Sequence, residues 1–138
     1  MRILAVDPGE KRIGIAISDP TGTIATPLTV IQHISRLLDA ASIADLANQH
    51  QASIIVVGKS FDDEGMPTPQ SRRADRLAEA IRQQCDLPLT MWDESFSTHV
   101  ARQARLEMGT TRRKRRGHLD EFAATVILQS YLDSRENK

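Results

Sequence analysis

Cysteine is almost missing from this chain: among its 138 residues Cys85 stands alone. A single thiol forms no internal disulfide and supplies no thiolate zinc cluster, so a reducing cytoplasm is the expected setting. Long apolar runs are missing as well. No stretch reaches the roughly 18 apolar residues of a helical membrane span, and the opening residues enter a charged strand pattern rather than a leader. Aromatic residues are scarce, namely Phe61, Trp92, Phe96, Phe122 and Tyr131. That scarcity argues against a base-stacking platform. There is also no net charge, since 18 Lys and Arg balance 18 Asp and Glu. Taken alone, that balance argues against a polyanionic partner. The distribution argues the other way: Arg112, Arg113, Lys114, Arg115 and Arg116 run consecutively, with Arg102 and Arg105 just before them. The plain alternative for such a run is a solvated loop.

What is present fits one domain over residues 1–138, a size that buries roughly 68% of the unfolded surface and needs no staple. Ile3 to Val6 is apolar on both faces, as a buried central strand is, and Ile13, Ile15 and Ile17 alternate as a second strand. The Pro8 to Arg12 turn makes them a hairpin, which sets Asp7 at one sheet edge and Asp19 at the other. Thr23 to Ile31 reads as a third strand, with Pro27 marking an edge or a bulge because it donates nothing to a ladder. Ile34, Leu37, Leu38, Ala41, Ala44 and Ala47 recur at helical spacing, which predicts an amphipathic helix over Ser35 to Gln49. Ser53 to Gly58 is a buried parallel strand. After an exposed loop, Thr68 caps a helix with Pro69 at its first position and Ala74, Leu77, Ala78, Ile81 and Cys85 on its buried stripe. Leu87 to Trp92 is a short strand that runs into Asp93 and Glu94. A helix follows with Val100, Ala104 and Met108 at period four. The last helix, Leu119 to about Asp133, carries Leu119, Phe122, Ala123, Val126, Ile127 and Tyr131 on one face. This order predicts an α/β fold with a five-stranded mixed sheet, an antiparallel hairpin start and parallel crossovers.

In such a sheet the strands ending at Asp7, Gly58 and Asp93 are parallel, so their carboxyl ends share the edge where open α/β sheets place ligands. Asp7 and Asp93 are expected to land together. Asp120 is expected in the first turn of the last helix, with the small Ala123 and Ala124 beneath it at i+3 and i+4. Three crowded carboxylates repel and raise one another's pKa, a cost that a divalent cation removes. Oxygen-only ligands point to magnesium or manganese, one or two ions, which bridge carboxylates to phosphate oxygens. The basic run just before Asp120 then has a role in holding a phosphodiester backbone. Taken singly, an Asp after a strand is a turn former, and Asp120 is an ordinary acid complementing the helix dipole. Their joint placement makes the case. Glu94 is either an auxiliary ligand or a turn residue beside Asp93, which is the acid expected to face the metal.

These residues carry a resemblance. Val6-Asp7-Pro8-Gly9-Glu10-Lys11-Arg12-Ile13-Gly14 with Ser18-Asp19, Val56-Val57-Gly58, Asp93-Glu94-Ser95-Phe96-Ser97-Thr98, the basic run, and Asp120-Glu121-Phe122-Ala123-Ala124 through Leu132 together resemble the YqgF family, also called RuvX. That family belongs to the ribonuclease H-like superfamily and is described as Holliday-junction resolvases and as nucleases that mature the 5′ end of pre-16S ribosomal RNA. The resemblance implies a ribonuclease H-like nuclease. It implies hydrolysis by a metal-activated water, with Asp7, Asp93 and Asp120 carrying the metal and Glu94 assisting. Lys11, Arg12, Lys59 and Arg112 to Arg116 would position the nucleic acid. Precursor RNA and branched DNA both stay open as substrates, and so do monomer and homodimer. Two departures stand out, Lys59-Ser60 where the family has Leu-Pro after its glycine, and Ser95 where it has Arg.

Gly58-Lys59-Ser60 imitates the end of a phosphate-binding loop, but the required first glycine falls at Ser53, inside a strand. An actin-like kinase closes two such domains around ATP, and this length provides one. A non-catalytic nucleic-acid adaptor remains the rival class; it would tolerate loss of Asp7. His33 and His50 are expected at the surface; His118, two positions before Asp120, could contact phosphate or move a proton, but a structural role is the expected one for a lone His.

Overall fold

The computed structural model describes residues 1–94 and 116–136, with side chains described within the last helix over 122–135. The elements run β1 (Arg2–Pro8), β2 (Arg12–Ser18), β3 (Ala25–Gln32), α1 (Arg36–Gln49), β4 (Ala52–Lys59), α2 (Pro69–Gln84), β5 (Leu89–Asp93) and α3 (Arg116–Glu136). The sheet has five strands in the order β3-β2-β1-β4-β5. β1 pairs antiparallel with β2 and parallel with β4; β2–β3 is antiparallel and β4–β5 parallel. The mixed sheet expected from the alternation of patterns is therefore the sheet observed. The helix expected over 95–108 and the basic residues Arg112 to Arg115 lie outside the described residues.

β1 is central because its side chains serve two layers. Leu4 and Val6 join Ile15, Ile43, Val57 and Ile81 in the core beneath α1 and α2. Ile3 and Ala5 join Val56, Ala124 and Leu128 beneath α3 on the opposite face. Strand alternation is what sends successive residues of one chain into two cores. Pro27 sits on the edge strand β3 beside a register shift that sets Ile15 opposite Thr29 and Ala16 opposite Pro27. Both options for that proline are thus realised together.

Helix α2 begins as its sequence predicts. Thr68 accepts from the Ser71 N–H at 3.1 Å and Ser71 Oγ accepts from the Thr68 N–H at 2.8 Å, with Pro69 following the cap. α1 departs from expectation in its rotation. Leu37 and Leu38 are 69% and 54% exposed, and Ala40 and Ile43 face the sheet together with the expected Ala47. The cause is Asp39, whose buried carboxylate binds His33 Nδ1 and accepts from the Ile34 N–H at 3.0 Å. A polar anchor at that position turns the helix so that small alanines contact the sheet, a rotation that apolar counting alone misses.

α3 starts at Arg116, so the last residue of the basic run is helical rather than part of a loop. Its buried residues are Ala124, Val126, Ile127, Leu128 and Leu132, of which Val126 and Ile127 were expected, while Phe122, Ala123 and Tyr131 are half-buried. That is about one residue of rotation from the expected stripe, and the reason is close packing: Ala124 meets a layer lined by Ala5 and Ala16. Tyr131 meets Trp92 edge-on, ring centroids 5.4 Å apart, and Trp92 Nε1 donates to Ser130 Oγ at 3.2 Å.

Asp19 lies at the end of β2, far from Asp7 along the hairpin, as expected. The Ile24 N–H at 2.9 Å, the Thr21 hydroxyl and the Thr23 N–H at 2.7 Å hold its carboxyl well below the usual carboxylate range. A carboxyl with a depressed folded pKa stabilises the fold above its ordinary pKa of about 3.9, and that contribution is lost as pH falls toward the depressed value. Asp19→Asn should therefore be less stable than the parent by a constant margin between about pH 5 and 8, with the margin closing below about pH 4. Denaturant melts across pH check this, and a margin that widens in acid contradicts it.

Candidate active site

The carboxyl ends of β1, β4 and β5 lie along one edge because these three strands are parallel. Asp7 shares its face with Ile3 and Ala5, the face covered by α3, and stands opposite Gly14 of β2. The turn that follows depends on Gly9, since a Cβ there would meet the Arg12 carbonyl oxygen at 2.2 Å. Lys11 is exposed at the tip of the hairpin, with its carbonyl accepting the His33 N–H at 2.9 Å, and Arg12 opens β2 opposite Gln32.

Gly58 marks the second strand end on the α3 face. A Cβ there would come within 2.7 Å of Ile127 Cδ1 and 3.0 Å of Glu94 Oε1. The Glu94 carboxylate thus occupies space that any other residue at Gly58 would fill. Its backbone is set by a 2.7 Å bond from the Glu94 N–H to the Lys59 carbonyl, which extends the β4–β5 ladder by one residue.

Alternation then separates the two neighbouring acids. Leu89 and Met91 pack beneath α1 and α2, whereas Trp92 packs beneath α3. Asp93 therefore falls on the α1/α2 face and Glu94 on the α3 face with Asp7. Sequence reasoning expected Asp93 beside Asp7; the structure sets them on one edge but on opposite faces. Lys59 is also on the α1/α2 side, where its ammonium pairs with Asp75 of α2 at 3.1 Å and lies 5.0 Å from the Phe61 ring centroid. Asp120 is placed by its backbone in the second turn of α3, one turn ahead of the buried Ala124. Among the described residues no group of three or more His, Cys, Asp and Glu converges as a metal site, and the side chain of Asp120 is not among them.

Gln70 was not singled out by sequence reasoning. From the first turn of α2, its Nε2 reaches the Pro8 carbonyl at 3.4 Å and Glu94 Oε1 at 3.3 Å, while its Oε1 accepts from the Ser60 N–H at 2.7 Å and Ser60 Oγ at 3.0 Å. One amide thus ties together the ends of β1, β4 and β5. No charge or periodicity marks such a residue in a sequence. Gln70→Ala should cost about 1–3 kcal/mol by leaving half-buried partners unsatisfied. Gln70→Glu, which keeps the shape but brings a carboxylate toward Glu94, should be no better. Chemical denaturation measures both, and a Gln70→Ala variant as stable as the parent would show these bonds to be idle.

The geometry has counterparts among known proteins. The RuvX family profile, described as "Holliday junction resolvase", matches residues 1–134. A protein of Thermoanaerobacter pseudethanolicus named "Putative pre-16S rRNA nuclease" is 38% identical over 139 aligned residues, covering 100% of both chains. One of the same name from Clostridium botulinum is 39% identical over 134 residues, covering 97% of this chain and 98% of its own. Among solved structures, T. thermophilus RuvC in complex with a Holliday junction substrate superposes with a TM-score of 0.66 at 14% identity, covering 100% of this chain and 97% of that one. The Fowlpox virus resolvase with its junction DNA gives 0.57 at 16% identity, covering 98% and 99%. These structural likenesses show the fold, which is ribonuclease H-like. With the profile spanning nearly its whole length and relatives at this identity, the chain belongs to the RuvX family.

Proposed function

We propose that this protein is a metal-dependent endonuclease that hydrolyses phosphodiester bonds at the 5′ end of pre-16S ribosomal RNA. The reading is supported by strand alternation, which turns Glu94 over Gly58 toward the α3 side of the carboxyl edge, the side that Ile3, Ala5 and Asp7 of β1 share. Full-length relatives with a nuclease name give the substrate.

The donor set suits a hard divalent cation, magnesium or manganese, because it consists of carboxylate oxygens. Asp7, Glu94 and Asp120 would hold it. Bound there, such an ion supplies Lewis-acid charge to the phosphate and lowers the pKa of water. The residues do the rest. Gln70 keeps the Glu94 carboxylate turned over Gly58. Lys11, Arg12 and the Arg112 to Arg116 run draw the backbone toward the edge through charge, which makes binding steeply salt-dependent. Lys59, engaged by Asp75, is assigned to tying β4 to α2 rather than to the nucleic acid. Asp93 adds negative charge on the far face.

A Holliday junction substrate is the second reading, favoured by the description of the family profile. Cleavage of a pre-16S fragment and of a four-way DNA junction, each with magnesium, manganese or chelator, decides between them. Cutting of the RNA alone, abolished by chelator, is the expected result. Cutting of the junction alone would move the assignment to a resolvase. Binding without cleavage in either metal would make the protein an adaptor.

A further inference from the structure

On the side of the sheet away from Asp7 and Glu94, an open cavity of about 540 Å³ lies between the first turns of α1 and α2. Arg36 of α1 and Arg72, Arg73 and Arg76 of α2 line it. None of the ion pairs among the described residues engages any of these four arginines. Two carboxylates also line the cavity, Glu10 and Asp39, but Asp39 is committed to His33 and the Ile34 N–H. The balance around the space is positive.

That balance is costly for an empty protein. Arg72 and Arg76 are four residues apart on one helix, and Arg73 and Arg76 three apart, spacings at which like charges destabilise a helix. All lie in the N-terminal half of α2, whose first turn holds no acid, and Arg36 is the first residue of α1. Cations at helix N-termini oppose the dipole. Two helices begin at one cavity, α2 with three arginines and no acid in its first turn, α1 with Arg36 beside an Asp39 already bound to His33, and both are relieved by one kind of ligand, an anion whose oxygens accept from guanidinium groups.

We infer that this cavity is a second phosphate-binding site, which grips the backbone of the nucleic-acid strand after it leaves the Asp7 and Glu94 edge. The choice of a strand rests on the nuclease reading above and on three features of the cavity. Its lining includes Pro8, Gly9 and Glu10, the turn that directly follows Asp7, so one strand passes from one site to the other around the hairpin. Its volume falls in the range that holds a ligand much larger than a single phosphate. Its lining contains no Phe, Tyr or Trp to stack a base, which suits backbone contact and not recognition of a nucleotide. This site adds cationic contacts that the basic run near Asp120 does not supply.

The test is binding of a short fluorescein-labelled single-stranded RNA, followed by anisotropy with chelator present so that cleavage plays no part. The Arg72→Gln/Arg73→Gln/Arg76→Gln variant should bind at least about tenfold more weakly near 0.1 M salt, and its log K against log salt slope should be shallower by about 0.7 for each phosphate no longer gripped. Its melting temperature without RNA should equal or exceed that of the parent, because like charges have been removed. The corresponding triple Lys variant, which keeps the charge, should keep most of the slope. Unchanged affinity and slope in the Gln variant would overturn the proposal. A saturable rise in melting temperature with inorganic phosphate or AMP, lost in the Gln variant while RNA affinity is unchanged, would overturn the strand and assign the pocket to a free phosphate compound. Cleavage is scored separately: failure of the parent to cut RNA sinks the nuclease reading, whereas unchanged RNA binding in an active Gln variant sinks only this site.

Discussion

Glu94→Gln and Asp7→Asn should each slow cleavage of a pre-16S fragment by at least about a hundredfold, close to 2.7 kcal/mol of activation free energy, whereas Asp93→Asn should stay within about tenfold of the parent. The asymmetry between adjacent acids follows from strand alternation. Glu94 faces α3 over Gly58, together with Asp7, and Asp93 faces the opposite layer with Met91. Replacing a carboxylate by its amide keeps volume and hydrogen-bonding shape, so the loss reports charge at the site rather than folding. Melting curves for all three variants establish that they fold. If Asp93→Asn proves as damaging as Glu94→Gln, the chemistry is on the other face and the site as drawn is wrong.

Gly58→Ala should separate activity from stability. The new Cβ would meet Ile127 Cδ1 at 2.7 Å and Glu94 Oε1 at 3.0 Å, both ends of flexible side chains rather than backbone. Overpacking that neighbours can relieve costs about 1–3 kcal/mol, and the lower end is expected here. The catalytic cost is larger, because displacing a reacting group by about 1 Å can cost on the order of a hundredfold in rate. Ile127→Val removes the tighter contact, so the Gly58→Ala/Ile127→Val pair should recover stability and leave cleavage low. Recovery of both would mean that Ile127, not Glu94, transmits the effect.

Much of the fold was legible before any coordinates. The apolar run of β1, the alternation in β2, the Thr68-Pro69 start of α2 and the edge position of Pro27 each depend on a few neighbouring residues, and each is found as expected. α1 shows where local pattern fails. Its apolar residues at helical spacing gave one face, but the buried Asp39 sets another, because the His33 ring that receives its carboxylate comes from the segment just before the helix. Lys59 shows the same limit. It is a cation at a strand end that pairs with Asp75 of α2, a contact no local pattern foretells.

The sequence by itself determined the order of the described strands and helices, the edge shared by the parallel strand ends, and the family, because these follow from periodicity, turn chemistry and motif spacing along the chain. Only the tertiary structure decided that Glu94 turns over Gly58, that a neutral Gln70 reaches it from α2, and that arginines from two helices surround one cavity. Those outcomes depend on which face a residue meets after one more step of strand or helix rotation. A shift of one residue reverses a strand side chain from one layer to the other, and a linear pattern leaves that last step open until the layers have packed.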